Sequence, residues 1–302
     1  MVGQIVEITD PGHWLNKHRG FLEVRHDGEK LGQVPLDDIA AIIISVPGCS
    51  VSTNLLDHLA QRNVPVVTCG QNYLPSTWTL PVQGYNRQFQ VMRAQATLSE
   101  PKRKRAWQTI VKAKITNQAE VLSRAGKSDV RLKRLADNVR SGDPDNCEAQ
   151  AARAYWQELF GSDFRRNRDA PGLNVVLNYA YTVVRAGVAR GLVGAGLHPS
   201  FSLHHKNPQN PLNLVDDVME PFRPIADYLI YKKNYDDIGD LNVEIKSDLA
   251  SLMTLSLPVA GEISPLSQVA VRVSRSLAAY YMGEADTLLM PVLPDPLEIA
   301  AL

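Results

Sequence analysis

The sequence predicts an α+β fold in which an N-terminal β-sandwich domain is followed by a larger, all-α helical domain. Up to about residue 85, short apolar runs alternate with turn-forming residues, which is typical of a β-rich domain. After about residue 91, apolar residues recur at steps of three and four, as they do on one face of a helix. The 302 residues, 44% of them hydrophobic, are enough for two domains, which we place at 1–86 and 87–302.

The β-rich part is predicted to contain six strands and one short helix. The pair Asp27-Gly28 suits a tight hairpin turn, because both residues tolerate positive φ. The β-branched run at 39–44 is long enough for a strand buried on both faces. Ser52 or Thr53 can cap a helix that ends near Arg62. The predicted strands are residues 5–8, 21–25, 31–34, 39–44, 64–68 and 78–82, and Gln83-Gly84 closes the last of them.

The helical part is predicted to contain five helices. The first carries an apolar stripe from Trp107 to Leu122, and four consecutive basic residues at 102–105 open it. The other four cover residues 148–160, 173–193, 214–231 and 265–282. Three prolines among the twelve residues after Met290 predict a loosely ordered tail.

Charge is distributed unevenly along a chain whose net charge is zero. Residues 101–190 hold 18 Lys and Arg against 9 Asp and Glu, whereas residues 191–302 hold 7 against 14. A basic middle third is expected where one face of a protein meets a polyanion. The alternative is a set of solvated helices whose basic residues only maintain solubility.

Cysteines and hydropathy exclude several classes of protein. Three cysteines without a CxxC spacing exclude a disulfide scaffold and a thiolate zinc site, and they favour a reducing compartment. The first ten residues lack the basic and apolar segments of a signal peptide. No stretch approaches the roughly 18 apolar residues that a membrane span needs. We therefore expect a soluble, cytoplasmic protein.

Glu148 is the first candidate for chemistry. It lies on the same helical face as Ala152, Tyr155 and Leu159, so its carboxylate is predicted to point inward. A buried carboxylate needs a cation. That cation is either a basic side chain such as Arg153 or a bound metal.

A second set of candidates lies between residues 203 and 224. His204 and His205 precede a helix whose first turns carry Asp216, Asp217 and Glu220. Pro221 cannot donate a backbone hydrogen bond, so a kink is predicted at Glu220. The alternative is a helix start enriched in acidic residues that complement the helix dipole. This alternative does not explain Glu220, because Glu220 lies more than one turn into the helix.

Carboxylates with one imidazole form a hard, mostly oxygen site that suits Mg²⁺ or Mn²⁺ better than zinc. Such ions serve phosphoryl transfer.

Basic residues that could bind the phosphates of a polyanion are clustered in the same part of the chain, just ahead of two asparagines. The candidate DNA-contact residues are Lys102, Arg103, Lys104, Arg105, Lys112, Arg131, Lys133, Arg134, Arg165, Arg166, Arg168, Asn174 and Asn178.

Four ordered blocks of sequence resemble the family of CRISPR-associated integrases that carry out spacer acquisition. The blocks are CEAQAARAYW, FRRNRDAPGLNVVLNYAYTVV, GLHPSFSLHHKN and NLVDDVMEPFRPIADYLIY, and the β-rich segment SVSTNLLDHLAQRNVPVV is also similar. The resemblance extends over essentially the whole chain. Glu ahead of Pro-Phe-Arg is most similar to the type II branch, in which the last metal ligand is Glu.

The resemblance implies that Glu148, His205 and Glu220 bind Mg²⁺ or Mn²⁺ and that Asp217 is a supporting acid of the catalytic site. It implies His205 as the ligand in preference to His204. The implied reaction is a transesterification in which the 3′-hydroxyl of a short DNA fragment attacks a phosphodiester at the boundary of a CRISPR repeat. Residues 1–86 would form a dimerisation domain and residues 87–302 a catalytic, DNA-binding domain.

The resemblance also implies partners. These are a second copy of the chain, a small adaptation protein with a ferredoxin-like fold, an RNA-guided effector nuclease and a ring-shaped accessory protein. Two other functions remain open. A structure-selective endonuclease of branched DNA would use the same metal ligands, and a non-catalytic DNA-binding scaffold of the adaptation complex would use only the basic helices.

Overall fold

The computed structural model describes residues 3–70, 75–79, 81–82, 86–235 and 241–294. Eight strands and one helix form the N-terminal part, and nine further helices and a β-hairpin follow in these ranges. The strands are β1 Gln4–Ile8, β2 His13–His18, β3 Phe21–His26, β4 Glu29–Pro35, β5 Ile39–Ile44, β6 Ser50–Val51, β7 Val66–Cys69, β8 Pro75–Thr79, β9 Ser256–Val259 and β10 Glu262–Pro265. The helices are α1 Thr53–Gln61, α2 Gln88–Ala96, α3 Glu100–Arg124, α4 Val130–Asn138, α5 Cys147–Phe160, α6 Leu173–Gly194, α7 Asn213–Met219, α8 Arg223–Lys233, α9 Val243–Ala250 and α10 Leu266–Met282.

The N-terminal strands form two four-stranded sheets, in the orders β1-β5-β7-β8 and β4-β3-β2-β6. The hairpin of β3 and β4 turns at Asp27 and Gly28, whose φ angles of 48° and 84° confirm the predicted turn. Ser52 caps α1 by accepting a hydrogen bond from the Leu55 backbone, as predicted.

All six residues of β5 are buried, as its β-branched run predicts. Ile39, Ile42 and Ile44 pack in the core of the N-terminal part. Ala40, Ala41 and Ile43 belong to the larger core that the helices form. The sheet that contains β5 is therefore covered on both faces.

Helix α6 is the centre of the helical part. Most of its residues are buried, polar ones such as Asn174 and Asn178 included, because other elements surround the helix. Gly191 lets α10 approach closely, because a Cβ there would lie 2.7 Å from the Ala270 carbonyl oxygen. The predicted α+β class, with a β-rich N-terminal part and a helical C-terminal part, is confirmed.

Several details differ from the sequence-based expectation: strands β2 and β6 and helices α2, α4 and α9 were not predicted, and the predicted helix at 214–231 is divided into α7 and α8. The last N-terminal strand is β8 at residues 75–79 instead of 78–82, because it pairs with β7 in a register that places Trp78 opposite Val67. Residues 80 and 83–85, with the predicted Gln83-Gly84 turn, lie outside the described residues, as do residues 295–302 of the predicted tail. The hairpin of β9 and β10 interrupts the helical part.

Candidate active site

A polar cavity of about 310 Å³ lies where α3, α5, α8 and two loops meet. Glu148, His205 and Glu220 all line it, so residues that are far apart in the sequence share one cavity. Basic side chains lie beside them. The cavity-lining residues used below are Lys114, Glu148, Arg166, His205, Glu220 and Arg223.

Glu148 is held at the first turn of α5. The carboxylate of Asp143 accepts hydrogen bonds from the backbone N–H groups of Cys147 and Glu148, each at 2.9 Å. This cap satisfies two backbone donors that the helix leaves unpaired at its start. The inner face of α5 continues with buried Tyr155 and Leu159. Glu148 therefore points inward, as its spacing predicts, and its side chain is 28% exposed.

The cation beside Glu148 is Lys114 of α3. Its ammonium group contacts Glu148 Oε1 and lies 2.5 Å from Glu220 Oε2. Burial alone would lower the pKa of Lys114, but the charges of Glu220 and Glu148 outweigh this effect and raise it. Lys114 is thus a charged, buried link between two predicted metal ligands. Arg153, the basic partner considered from the sequence, is exposed on the other side of α5.

Glu220 begins a short 3₁₀ turn, Glu220–Phe222, that separates α7 from α8. The predicted kink therefore lies at the predicted residue. Asn117 of α3 donates to the Pro221 carbonyl oxygen at 2.8 Å and holds the turn against α3. Burial raises the pKa of Glu220, but the charges of Arg223 and Lys114 outweigh it and lower the pKa below its usual range.

His205 is oriented by Asp217, which is fully buried. The Nδ1 atom of His205 lies 2.6 Å from Asp217 Oδ1. The carboxylate of Asp217 also accepts hydrogen bonds from the backbone N–H groups of residues 203–205. The hydrogen bond to Asp217 raises the pKa of His205. A carboxylate on one ring nitrogen fixes the ring and its tautomer and leaves Nε2 available for a ligand.

His204 is placed differently. Its ring stacks on Trp107 with centroids 4.2 Å apart and planes 2° from parallel. Burial lowers the pKa of His204. The ring is not part of the cavity wall, whereas that of His205 is.

The loop before α6 brings Arg166 and Arg168 to the cavity. Arg166 donates to Asn174 Oδ1 at 3.0 Å and to Asn178 Oδ1 at 2.7 Å. Asn178 also donates to the Arg168 carbonyl oxygen at 2.7 Å. Both asparagines are buried, and they hold the loop that presents the arginines.

The other candidate DNA-contact residues lie outside the cavity wall. Lys104 pairs with Glu100 of the same helix at 2.8 Å, and Lys133 pairs at 2.6 Å with Asp129, the residue just before α4. The side chain of Arg165 is exposed. The remaining residues lie on α3 or α4 and are half-buried or exposed: Lys102, Arg103, Arg105, Lys112, Arg131 and Arg134.

Asp227 is a further cavity residue, and no spacing or motif in the sequence indicates its role. It is buried, and it accepts hydrogen bonds from the hydroxyl groups of Tyr181 at 2.6 Å and Tyr155 at 3.1 Å. Burial raises its pKa to about 7 against the effect of these bonds and of nearby arginines. The guanidinium of Arg223 lies 4.7 Å from the centre of the Tyr181 ring, and that of Arg166 lies 5.4 Å from it.

Two observations bear on whether these side chains suit a divalent cation. Glu148 and Glu220 already surround one positive charge, because the Lys114 ammonium group contacts Glu148 and lies 2.5 Å from Glu220 Oε2. The donors, two carboxylates and one imidazole, are of the type that Mg²⁺ and Mn²⁺ accept. In the ranges that the structure describes, however, no three His, Cys, Asp or Glu side chains are close enough to hold a metal ion as they stand.

Comparisons with known proteins give one consistent result. The family described as CRISPR associated protein Cas1 matches residues 6–238. A CRISPR-associated endonuclease Cas1 of Neisseria meningitidis serogroup C (strain 8013) is 38% identical over 283 residues, which are 92% of this chain and 91% of the relative.

Solved structures have the same fold. A casposase bound to an integration product has a TM-score of 0.77 at 20% identity, over 94% of this chain and 92% of the casposase. A CAS1 protein from Thermotoga maritima has a TM-score of 0.76 at 16% identity, over 94% and 99% of the two chains.

Among the described residues, no helix is long and apolar enough to cross a membrane.

Proposed function

The chain belongs to the Cas1 family of CRISPR-associated proteins, and from that premise we propose that it is the integrase of CRISPR adaptation. It inserts short DNA fragments into a CRISPR repeat array. The observation that carries the proposal is the convergence of Glu148, His205 and Glu220 on one cavity whose wall also contains arginines. Anionic and cationic side chains are combined there as phosphoryl transfer requires.

In the proposed reaction, the 3′-hydroxyl oxygen of a DNA fragment attacks a phosphodiester at the edge of a repeat. The new P–O bond forms as the old one breaks; the attacking hydroxyl gives up its proton, and the leaving 3′-oxygen of the repeat strand takes one up. One strand is therefore cut and joined in one exchange, without ATP.

Each side chain has a proposed task. Glu148, Glu220 and the Nε2 atom of His205 would hold Mg²⁺ or Mn²⁺, with the His205 ring fixed by Asp217. The bound ion would polarise the phosphodiester and lower the pKa of the attacking hydroxyl. Arg166 and Arg168 would bind phosphate oxygens at the cavity.

The basic residues of α3 and α4 would bind the DNA duplex through its backbone, in a salt-dependent manner. We also propose that two copies of the chain form a dimer through the β-rich part and act in the cytoplasm with a small second adaptation protein of ferredoxin-like fold. An RNA-guided effector nuclease and a ring-shaped accessory protein would complete the assembly.

The test is strand transfer by Glu148→Ala. A labelled fragment with free 3′-hydroxyl ends is incubated with supercoiled repeat DNA and Mg²⁺ or Mn²⁺, and joined products are separated from merely cut ones. We expect joining to fall by at least about 100-fold with DNA binding retained, because the variant lacks one proposed ligand. Glu158→Ala, an exposed position on the same helix, is the matched control.

The same assay separates the alternatives. Joining by Glu148→Ala at the wild-type rate contradicts the site. Cutting without joining by the wild-type protein identifies a structure-selective nuclease. If neither joined nor cut products form with Mg²⁺, Mn²⁺ or EDTA while DNA is still bound, the protein is a non-catalytic scaffold.

A further inference from the structure

Lys114 places a positive charge between two of the proposed metal ligands. It extends from α3, its side chain is only 9% exposed, and its ammonium group contacts both Glu148 and Glu220. The second oxygen of Glu220 lies 3.2 Å from Arg223 Nε. Both oxygens of this buried carboxylate are therefore engaged by cations of the chain itself.

An ammonium group and a divalent cation compete for these two carboxylates. The two positive charges would lie within a few ångströms of each other in a largely buried site, where repulsion is weakly screened. The ammonium group also takes up carboxylate oxygens that a metal would need. This agrees with the absence of an assembled cluster of three ligands among the described residues.

We propose that Lys114 is an exchangeable internal cation. Its ammonium group holds Glu148 and Glu220 in place before metal binding, and it leaves this position when Mg²⁺ or Mn²⁺ binds. Lys114 thereby keeps the carboxylates from repelling each other in the metal-free protein, at the expense of metal affinity. This inference rests on the metal site of the proposed function.

The first test measures Mn²⁺ binding to the full chain by titration calorimetry. Lys114→Met removes the competing charge and keeps an unbranched side chain only one atom shorter, so we expect its dissociation constant for Mn²⁺ to fall by at least about tenfold. Without metal, the variant should unfold at a lower temperature than the wild type, and Mn²⁺ should raise that temperature more than it does for the wild type. Lys127→Met, at an exposed lysine just beyond α3, removes the same charge and should behave as the wild type.

The second test uses the wild-type protein and does not depend on how the variant folds. Lysine acetylation is followed by mass spectrometry in EDTA and in saturating Mn²⁺. We expect the labelling of Lys114 to rise several-fold with Mn²⁺, because its ammonium group is released from two carboxylates. The labelling of Lys127 should not change.

Glu148→Gln distinguishes the two proposals. If it binds Mn²⁺ as the wild type does, the metal is elsewhere and the metal site of the proposed function is wrong. If it loses Mn²⁺ binding, the site stands. Wild-type or weaker Mn²⁺ affinity in Lys114→Met, or unchanged labelling of Lys114, then overturns the exchange alone.

Discussion

At the scale of single residues, Asp227 is a buried carboxyl group whose pKa lies close to neutral pH. Burial raises its pKa to about 7, whereas an aspartate in an unfolded chain has a pKa of about 3.9. Between these values the folded protein holds the proton more tightly than the unfolded chain does. The stability that Asp227 contributes is therefore fully present below about pH 4 and is lost as the pH rises through 7.

Asp227→Asn removes this titration and keeps the shape of the side chain. We expect the free energy of unfolding of the variant to fall less between pH 5 and pH 8 than that of the wild type, by as much as a few kcal/mol, since one unit of pKa difference is worth about 1.4 kcal/mol. Urea unfolding at both pH values measures the difference. Asp137→Asn, at an exposed carboxylate on α4, is the control, and parallel pH profiles for Asp227→Asn and the wild type would contradict the prediction.

The residues of the site differ in how far the sequence reveals them. The inward direction of Glu148 follows from helical spacing alone, because neighbours on its own helix define the inner face. Its cation does not follow from that helix, since Lys114 comes from α3. A signal does exist there: Trp107, Ile110, Lys114 and Gln118 continue one buried stripe, so a lysine at a core position predicts a buried acidic partner.

At the scale of elements, the break at Glu220 was predictable and the smallest elements were not. Pro221 cannot donate a helical hydrogen bond, and this holds in any tertiary context. By contrast, β2 and the hairpin of β9 and β10 have only four to six residues per strand, and partners elsewhere in the fold stabilise them. Short segments of this kind carry too little periodic pattern to be recognised alone.

The first turns of α3 provide the prediction at this scale. Four basic residues there oppose the helix dipole, so they are not placed for helix stability. We expect replacement of Lys102, Arg103, Lys104 and Arg105 by Gln to weaken DNA binding equally for all sequences. When the logarithm of the binding constant is plotted against the logarithm of the salt concentration, the slope should become shallower by about 0.9 for each DNA phosphate that the variant no longer neutralises.

Fluorescence anisotropy at several NaCl concentrations measures both quantities, on repeat DNA and on an unrelated duplex. Weaker binding confined to the repeat would indicate base recognition and overturn the prediction. The control variant removes four basic charges outside the candidate clusters, at Lys17, Lys127, Lys232 and Arg275.

At the scale of the whole molecule, a polar cluster joins the N-terminal sheet to the helices. Glu7 of β1 lies 3.2 Å from Lys246 Nζ of α9, and Tyr179 of α6 donates to its other oxygen at 2.6 Å. Ser45 donates to Glu7 at 2.6 Å. The side chains of Glu7 and Lys246 are 10% and 7% exposed, so this ion pair is shielded from solvent.

Glu7→Gln tests whether this cluster couples the two parts. The change leaves a buried ammonium group without its carboxylate, so we expect the free energy of unfolding to fall by about 3 kcal/mol. The control, Glu29→Gln at an exposed position of β4, should have almost no effect. The double variant Glu7→Gln, Lys246→Met should recover much of this stability, because replacing a whole buried pair costs less than removing one partner. Urea unfolding, followed by tryptophan fluorescence and by circular dichroism, measures all four proteins. If Glu7→Gln unfolds at the wild-type urea concentration, the ion pair contributes nothing to holding the sheet on the helices, and the apolar contacts of the sheet must do so.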